Sequence, residues 1–511
     1  MAKIALIKTD SLDPMNCVLT VPLGALYLSA LAKQRGHEVK VYDLSIVHFT
    51  DLQHKLHEIA ESHPDIIGFS SLSTQYYVHK LVSRYLRMLL PGALFITGGP
   101  LASSEREDLL KDEPQIDISA VGEAENTFLD LLEWREKGGS LADIKGICYR
   151  ENGEVLFTGP GRMVENVNEL PMPDYEQIDY GVYSKFLSAS QLIGRRNSNI
   201  FTSRGCPYNC GYCHNVFGKN FRARSPESVM EEMRYLRVRH GVVVFEIWDD
   251  IFNFDYDRAM EILQRIRCEL PDVKIGFPNG IRLNNVDEKL IEAMARANCY
   301  LLAIPVDTYS KRTQKMINRK VPTELVREIT RWTRKHGVYT WGYYMVGFPG
   351  ETQEEMALTF KYAEELDIDY PLFFQVTPFK NTKIASEVQV RGMPLPDLAS
   401  IEYFHSVQNY SDTPMEYISQ QRGRQVIRSF RKPQNWYMVV NRLYWVTQWM
   451  GSREFARELA MSATRIFAGT PRNMLETDQS NMDRRKKTVL KRLESSLGAA
   501  SHNQNGANAA A

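Results

Sequence analysis

The first 130 residues alternate between short apolar runs and longer stretches in which apolar residues recur at helical spacing. The run Ile66–Phe69 is almost continuously apolar, as expected of a strand that is buried on both faces. Strands are predicted at Ile4–Ile7, 36–43, 65–70, 94–97 and 118–121, and helices at Leu23–Lys33, Leu52–Ser62 and Val78–Leu90. Strict alternation of strand and helix predicts an α/β fold built on a doubly wound parallel sheet.

The pattern changes four times after this domain. The proline-punctuated segment Leu170–Tyr175 favours an extended, semi-rigid linker. Strand–helix units from about residue 199 to 390 then predict a partial (β/α) barrel, with its chemistry at the carboxyl ends of the strands. The predicted limits are 1–150 for the doubly wound domain, 151–196 for the linker, 197–395 for the barrel, 396–477 for a mainly helical C-terminal domain and 478–511 for a disordered tail.

Composition and charge limit the cellular setting. At 511 residues the chain is long enough for about three domains. Basic and acidic residues balance at 62 each, so no global charge attracts nucleic acid or an anionic membrane. The seven cysteines do not form a disulfide framework, and no apolar stretch approaches the ~18 residues needed to span a bilayer. We therefore predict a cytoplasmic protein with no transmembrane segment and no nucleic-acid partner.

Three cysteines stand together in the stretch Ser203–His214. Cys206, Cys210 and Cys213 have the spacing C-x3-C-x2-C, and three thiolates on one short loop can hold three irons of a cubic iron–sulfur cluster. No fourth cysteine lies nearby, so one iron would keep an open coordination position. The alternatives are chance clustering and a structural zinc site, which usually needs a second short Cys/His motif that this chain does not supply.

This spacing, with Tyr212 just before the last cysteine, resembles the signature of the radical S-adenosylmethionine (SAM) enzymes. Further segments resemble later motifs of that family in the same order: Phe245–Phe252, Ile281–Asn284, Leu302–Asp307, Met316–Lys320 and Tyr344–Thr352. The resemblance implies a 4Fe–4S cluster whose metal ligands are Cys206, Cys210 and Cys213. It also implies SAM bound to the open iron, and an electron donor such as flavodoxin or ferredoxin.

The same resemblance implies contacts to SAM. Asp249 and Asp250, at the carboxyl end of a predicted strand, would bond the methionine amine; the alternative for both is a helix cap or a solvated turn. Tyr212 would contact the adenine through its backbone. Asp307 and Ser310 would reach the ribose, with Asp307 in place of the glutamate that is usual in the family.

The amino-terminal domain resembles the cobalamin-binding domain found ahead of many radical SAM barrels. No G-x-G-x-x-G follows the first strand, which disfavours a dinucleotide. Small and hydroxyl-bearing residues follow later strands instead, and these let the backbone close on a bulky cofactor. The residues assigned to cobalamin by this resemblance are Ser70, Ser71, Ser73, Thr74, Gly98, Gly99, Pro100, Gly122 and Glu123. The alternative is a flavodoxin-like domain without a cofactor.

A cobalt-ligating histidine is not predicted. The motif D-x-H-x-x-G, whose histidine ligates cobalt in other cobalamin proteins, is absent. His37, His48 and His63 do not fit it and are predicted to be surface or loop residues. Cobalamin is therefore expected to bind with its own base displaced and with no protein histidine on the cobalt.

The two resemblances together imply a methyltransferase. The expected reaction moves a methyl group from SAM through methylcobalamin to an unactivated carbon of a small molecule, such as a natural product, a lipid or a tetrapyrrole, and it is started by a 5′-deoxyadenosyl radical. Oxidative cyclisation or ring rearrangement on the same cofactors is the alternative. A corrinoid-sensing regulatory protein is disfavoured by the intact cysteine motif, and a methylthiotransferase by the lack of a second cysteine set.

The segment after residue 400 is predicted to be helical and aromatic. Trp436, Tyr437, Tyr444 and Trp445 could line a pocket for a large apolar substrate, or they could form a helical core packed on the barrel. Arginines just before them could bind a carboxylate or phosphate, although such runs are usually solvated.

Overall fold

The structure, a computed structural model, describes residues 1–9, 19–47, 51–186, 188, 195–213, 216–398, 408–436 and 495. Within these residues the chain forms two compact units. The first comprises residues 1–9 and 24–164, and the second comprises residues 19–23 and 165–436. The predicted tail at 478–511 and much of the predicted C-terminal helical domain lie outside the described residues.

The first unit is a sheet covered by helices on both faces. Its strands are β1 Lys3–Lys8, β2 Glu38–Asp43, β3 Ile66–Ser70, β4 Leu94–Gly98, β5 Ile118–Ala120, β6 Ile147–Glu151 and β7 Glu154–Phe157. Its helices are α1 Leu23–Gln34, α2 Leu52–Glu61, α3 Tyr76–Leu89, α4 Gly99–Glu105, α5 Glu107–Asp112 and α6 Glu125–Lys137. The strand order is β2-β1-β3-β4-β5-β6-β7, and β1 to β5 run parallel.

Two hydrophobic cores explain why the central strands are apolar throughout. One face of the sheet packs against α2, α3 and α5, and the other face packs against α1 and α6. Ile67 and Phe69 of β3 enter the first core, whereas Ile66 enters the second. The predicted α/β fold with a doubly wound parallel sheet is therefore confirmed.

The first unit extends beyond the expected boundary at residue 150. Strand β7 lies inside the segment predicted as a linker, yet it pairs antiparallel with β6 and forms the edge of the sheet. Beyond β7 the segment contains further ordered turns, at Val167–Glu169 and Tyr175–Gln177. This part of the segment belongs to the second unit, and Tyr175 and Tyr180 are buried within that unit.

The second unit contains a six-stranded parallel sheet in the order β8-β11-β12-β13-β14-β15. The strands of this sheet are β8 Asn197–Ile200, β11 Val244–Ile247, β12 Lys274–Phe277, β13 Cys299–Asp307, β14 Thr340–Val346 and β15 Tyr370–Gln375. Two more strands of the unit, β9 Ser203–Arg204 and β10 Arg222–Ala223, pair with each other. Its helices are α7 Tyr180–Tyr183, α8 Pro226–His240, α9 Tyr256–Glu269, α10 Glu288–Arg296, α11 Lys311–Met316, α12 Thr323–Lys335, α13 Gln353–Glu365, α14 Lys383–Val390 and α15 Met415–Phe430. This is the strand–helix repetition predicted for a partial barrel.

Local sequence explains where several of these helices begin. Ser225 and Asp255 each accept a backbone N–H of the first turn, which caps α8 and α9. Thr352 and Glu355 form a reciprocal capping box at the start of α13. These caps lie directly after the carboxyl-end loops of the sheet, so they fix where those loops end.

The described part of the C-terminal segment is helix α15 and the short turn Pro433–Asn435. Trp436 follows the turn and is 54% exposed, so it is not part of a packed core. Tyr437, Tyr444 and Trp445 lie outside the described residues. No helix in the described ranges is long and apolar enough to cross a membrane.

Candidate functional site

The three clustered cysteines lie on one loop at the carboxyl side of β8. The loop leaves β9 and returns through β10, and these two short strands pair antiparallel, with Arg204 opposite Arg222. Cys206 donates its backbone N–H to the Gly218 carbonyl at 3.2 Å, and Cys213 donates its own to the Cys210 carbonyl at 3.0 Å. All three predicted metal ligands are thus presented by one closed loop at the edge where barrel chemistry is expected.

Gly205 makes the entry to this loop possible. Its φ is +83°, in the left-handed region that side chains rarely adopt. A Cβ at this position would stand 2.2 Å from the carbonyl oxygen of Asn220. The Gly205 N–H donates to Oδ2 of Asp250 at 3.0 Å. Only glycine fits this close approach of two backbone segments.

A short turn after α11 holds the middle of the cysteine loop. The Gly211 N–H donates to the Ile317 carbonyl at 2.6 Å. Asn318 donates its amide to the Asn209 carbonyl at 2.9 Å, and Arg319 Nη1 lies 3.9 Å from Sγ of Cys210. Residues 317–319 therefore contact residues 209–211 of the loop, each with a different partner.

Helix α14 holds the same loop from another direction. The Ile384 N–H donates to the Gly211 carbonyl at 3.0 Å. A Cβ on Gly211 would lie 3.2 Å from Cα of Ile317 and 3.3 Å from Cβ of Lys383, so both elements pack tightly on this glycine. The loop is fixed on two sides by parts of the chain far from it in sequence.

Two of the three clustered thiols are desolvated in the folded loop. Part of the Cys213 side chain is open to solvent, but the folded loop desolvates its thiol, and this with repulsion from Cys210 raises the pKa of Cys213 to about 12. Burial also raises the pKa of Cys206. Both thiols keep their protons until a cation replaces them, so iron binding would release protons.

Three separate thiols on one loop are compatible with a cubic cluster. Among the described residues, no three His, Cys, Asp or Glu side chains converge on one point as a mononuclear site requires. In a cubic cluster each cysteine binds a different iron, so convergence is not needed. The other described cysteines lie elsewhere: Cys148 in β6, Cys268 in α9 and Cys299 at the amino end of β13.

Asp249 and Asp250 have different environments although they are adjacent. Asp249 is buried, and its carboxylate accepts the Thr202 N–H at 2.6 Å, the Thr202 hydroxyl at 2.5 Å and the Ser203 hydroxyl at 2.6 Å. Buried Arg258 adds its charge nearby and donates to the Thr202 carbonyl at 2.5 Å. Asp250 is exposed. Asp249 is engaged by more groups of the fold, whereas Asp250 is an exposed residue whose carboxyl accepts the Gly205 N–H and has a pKa raised by desolvation.

The residues expected at the ribose also make contacts within the protein. Tyr212 donates its hydroxyl to Oδ2 of Asp307 at 2.9 Å, and Arg319 Nε lies 2.6 Å from the same oxygen. Ser310 caps α11 by accepting the Thr313 N–H, and its hydroxyl donates to Glu355 at 3.0 Å. The structure brings Tyr212 and Asp307 together, whereas the Ser310 hydroxyl is used at the helix start.

Sequence analysis missed Glu351 as a site-forming residue. It is fully buried after β14, and one carboxylate oxygen accepts the N–H groups of Gly347 at 2.7 Å and Phe348 at 3.1 Å. Burial raises the pKa of Glu351 to about 7. Phe348 belongs to the core cluster on which Tyr212 packs. Glu351 therefore shapes the strand end that supports the cysteine loop, a role that its exposed-loop sequence context does not reveal.

The inner face of the barrel carries an aromatic wall that sequence analysis also missed. Tyr344 stacks on Phe373 with ring centroids 4.7 Å apart, and Phe373 contacts Phe360 of α13, so this face packs on the helices. Side chains alternate along a strand, so Trp341 and Tyr343 project from the opposite, inner face. Trp341 is 6% exposed, and its indole N–H has no acceptor among the described residues.

In the first unit, a buried histidine links three strand ends. His79 of α3 bonds the Ser71 hydroxyl at 3.2 Å and the Thr97 hydroxyl at 3.4 Å, and Ser71 in turn bonds Thr9 at 2.7 Å. Thr9 follows β1, Ser71 follows β3 and Thr97 is in β4. The strand order reverses between β1 and β3. In doubly wound sheets, ligands bind at the carboxyl ends of the strands at this point.

The glycines assigned to cobalamin bring neighbouring loops together. Gly99 has a φ of +82°, and a Cβ there would lie 3.3 Å from the Ser71 carbonyl oxygen and 3.4 Å from the Ser70 hydroxyl. Gly122 donates its N–H to the Ser103 hydroxyl at 2.9 Å, and the space beside its Cα is open. The structure therefore places these residues at one edge of the sheet.

The remaining assigned residues lie at the same edge. Gly98 ends β4 and Pro100 occupies the first turn of α4, whereas Ser73 and Thr74 form a short 3-10 turn after β3. Glu123 is buried and accepts the Val164 N–H at 2.9 Å, so its carboxylate is used inside the unit.

This edge fits a cofactor with a hydrogen-bonding tail. Ser119, level with Thr97 in the β4–β5 pairing, has a buried hydroxyl with no partner in the described part of the chain. Both ring nitrogens of His79 are engaged. His37 lies in the loop before β2, buried, with Nδ1 accepting the Ala2 N–H, and His63 is exposed after α2. His48 lies outside the described residues.

His79 should make the stability of the first unit depend on pH. Burial lowers the pKa of His79 from 6.5 to about 4, although the charge of Glu113 opposes this shift. The unfolded chain therefore binds a proton that the folded chain does not, between pH 6.5 and 4. The stabilisation is fully present above pH 6.5 and is lost as the pH falls toward 4, by roughly 3 kcal/mol.

Thermal unfolding followed between pH 7 and 4 tests this expectation. The wild-type midpoint should fall more steeply than that of His79→Gln, whose amide does not titrate. His63→Asn, which changes an exposed histidine of the same unit, is the matched control and should follow the wild type. Parallel curves for the wild type and His79→Gln would contradict the assignment.

Family models match both units of the chain. The model described as the B12 binding domain matches residues 18–132, and the model described as the Radical SAM superfamily matches residues 200–363. An uncharacterized methyltransferase of Pyrococcus horikoshii is 31% identical over 367 residues, which cover 71% of this chain and 77% of that protein. The anaerobic magnesium-protoporphyrin IX monomethyl ester cyclase of Synechocystis sp. is 24% identical over 453 residues, which cover 86% of this chain and 88% of the cyclase.

Solved structures show the same fold. The radical S-adenosylmethionine methyltransferase TsrM from Kitasatospora setae, with tryptophan substrate and a SAM analog bound, superposes with a TM-score of 0.70 at 17% sequence identity. The match covers 91% of this chain and 100% of that one. The chain shares both the order and the type of its two units with that enzyme.

Proposed function

The chain belongs to the radical SAM superfamily, in the branch whose members carry a B12-binding domain, and from this we propose that it is a cobalamin-dependent methyltransferase acting on an unactivated carbon of a small molecule. The observation that carries the proposal is the pairing, in one chain, of a three-cysteine loop with a sheet edge fitted for a cobalamin tail. Cys206, Cys210 and Cys213 would hold a 4Fe–4S cluster. When bound, the cluster with SAM supplies a hydrogen-abstracting radical, and cobalamin supplies the methyl group.

The protein's own task is placement and exclusion of water. Gly205 and Gly211 let the cysteine loop close without side chains in its way. In the first unit, Ser71 and Thr97 are held by His79, so their hydroxyls are fixed for a buried tail. A one-electron donor such as flavodoxin or ferredoxin would serve the cluster.

We assign the contact with the SAM amine to Asp250 and a positioning role to Asp249. Asp250 is an exposed residue, and its carboxylate accepts the backbone N–H of Gly205, one residue before the first cysteine. The Asp249 carboxylate already accepts three hydrogen bonds within the fold. A buried, fully engaged carboxylate gains little by turning to a ligand.

Two isosteric variants separate these roles. Asp250→Asn should weaken SAM binding about tenfold or more, because an ion-paired hydrogen bond is lost, and should leave the unfolding midpoint unchanged. Asp249→Asn should destabilise the chain by about 3 kcal/mol, because Thr202 and Ser203 lose a charged acceptor and Arg258 loses its counter-charge. Equilibrium SAM binding and thermal unfolding, measured on both variants, check this. A stable Asp249→Asn with weakened SAM binding would reverse the assignment.

The aromatic wall supports a substrate with a large apolar surface. Trp341 and Tyr343 lie on the inner face of the barrel, and the buried Trp341 N–H has no acceptor among the described residues, so an acceptor on the substrate would satisfy it. Aromatic faces gain most from flat or polycyclic apolar groups, so we place the substrate in that class. Trp341→Phe would keep an aromatic ring but remove the donor together with part of the ring surface.

The methyltransferase proposal is tested without knowing the substrate. The full chain is reconstituted anaerobically with iron, sulfide and hydroxocobalamin, reduced, and incubated with methyl-labelled SAM. Label on the bound cobalamin together with S-adenosylhomocysteine supports methyl transfer. No corrinoid uptake would refute the proposal. Deoxyadenosine formation with unlabelled cobalamin would favour oxidative cyclisation, the activity of the Synechocystis relative.

A further inference from the structure

Arg319 places a buried positive charge beside one of the three clustered thiols. Its side chain is 11% exposed, and Nη1 lies 3.9 Å from Sγ of Cys210. Nη2 donates to the Pro305 carbonyl at 3.0 Å, so the guanidinium is anchored at the carboxyl end of β13. The cation reaches the thiol from the barrel and not from solvent.

Asp307 fixes the orientation of this guanidinium. Arg319 Nε lies 2.6 Å from Oδ2 of Asp307, and the Tyr212 hydroxyl donates to the same oxygen at 2.9 Å. Asp307 has a φ of +60° and follows a register shift between β13 and β14. A non-glycine residue in this conformation is uncommon, and here its two partners come from the cysteine loop and the turn after α11.

Arg319 remains charged in this environment. Burial alone would lower the pKa of Arg319, but the negative charge of Asp307, with smaller contributions from Tyr212 and Cys210, raises that pKa above its usual value. In the Arg319–Asp307 ion pair, it is the guanidinium that lies against the Cys210 sulfur. The sulfur therefore has an N–H donor and the positive end of this ion pair beside it.

Positive charge and hydrogen bonds near a sulfur ligand favour the reduced state of an iron–sulfur cluster, because reduction adds one negative charge. We propose that Arg319 sets the reduction potential of the cluster held by Cys206, Cys210 and Cys213, by holding its charge and an N–H against the Cys210 sulfur. This inference rests on the cluster assigned under the proposed function. One electron enters from a one-electron donor of the flavodoxin or ferredoxin class, no bond forms or breaks at Arg319, and its proton stays in place.

The opposite charges of the pair give the proposal a signed test. The reconstituted full chain is titrated anaerobically with dithionite and redox mediators, and the reduced cluster is counted by electron paramagnetic resonance. Arg319→Gln should lower the ratio of reduced to oxidised cluster about tenfold at a fixed potential, which is about 59 mV for one electron. Asp307→Asn, which leaves Arg319 uncompensated, should shift the potential the other way.

Two further variants separate charge from general disturbance. Arg319→Lys keeps the charge and loses the planar fork, so its shift should have the sign of Arg319→Gln and a smaller size. Arg237 is a partly exposed arginine of α8 that pairs with Asp272. Arg237→Gln should leave the potential unchanged.

The possible outcomes are distinct. A normal cluster spectrum in Arg319→Gln with an unchanged potential would overturn this inference and leave the proposed function standing. If Arg319→Gln fails to load iron, Arg319→Lys and Asp307→Asn decide the matter: equal potentials in both, or shifts of the same sign, overturn it. Failure of the wild-type chain to form any cluster would instead refute the proposed function.

Discussion

Replacing Cys210 with alanine should prevent the iron cluster from forming and abolish SAM cleavage. Three thiolates are the whole protein ligand set that the loop offers, so loss of one leaves an iron without an anchor. Cys210 also has the most constrained surroundings of the three, since Asn209 and Gly211 on either side are bonded to the turn after α11. After anaerobic reconstitution, iron should fall from about four per chain to below one. Deoxyadenosine formation should fall to the level of a sample without enzyme.

The chain offers a matched control for this variant. Cys268 is exposed on α9, outside the cysteine loop. Cys268→Ala should retain full iron content and SAM cleavage, which would show that loss of a thiol elsewhere has no effect. SAM cleavage by Cys210→Ala at the wild-type rate would disprove the cluster assignment.

Replacing Gly205 with alanine should have the second largest effect. The new methyl group would stand 2.2 Å from the Asn220 carbonyl oxygen, and the backbone at this position has a φ of +83°. The left-handed conformation and the forced displacement together should cost about 2–4 kcal/mol. The atoms that the methyl group would meet belong to the backbone of Asn220, so the loop cannot adjust by moving a flexible side chain. Iron content after reconstitution should fall well below that of the wild type.

Thermal unfolding and iron analysis of Gly205→Ala are compared with Gly92→Ala. Gly92 has open space around its Cα and no positive φ, so alanine should be accepted there. The hydrogen bond from residue 205 to Asp250 should be lost as the loop shifts. Wild-type stability together with full iron loading in Gly205→Ala would show that the loop closes differently.

The α/β fold was predictable because its signals are local. Strands such as Ile66–Ser70 are apolar on both faces, and neighbouring helices show their own period, so short windows of sequence suffice. The hairpin partner β7 was not predicted, since an edge strand is half exposed and needs few apolar residues. Its pairing of Leu156 with Tyr149 exists only once β6 is in place.

The candidate site was predictable only in part. Spacing alone predicted Cys206, Cys210 and Cys213 as cluster ligands, and the structure adds only that they lie on one loop. The adjacent carboxylates Asp249 and Asp250 are chemically identical in sequence. What distinguishes them is burial and the hydroxyls of Thr202 and Ser203, which arrive from the segment at the start of β9. Such long-range partners leave no periodic signal.

The roles of buried polar residues on helices were also not predictable from the sequence pattern. His79 lies on the apolar face of α3, where pattern analysis expects a core side chain. Its function in linking Ser71 to Thr97 depends on three strand ends that meet only in the folded sheet. Tyr212 was expected to act through its backbone, yet its hydroxyl bonds Asp307.

The way the cysteine loop is held has a consequence for how the protein is made. Gly211 receives one backbone partner from Ile317 and another from Ile384, both synthesised long after Cys213 leaves the ribosome. A nascent chain that ends before α14 therefore lacks the Ile384 partner of the cysteine loop. We expect the loop to close, and metal to be inserted, only after α14 has been translated. Thiol-labelling of ribosome-stalled chains ending before and after residue 390 would reveal that order.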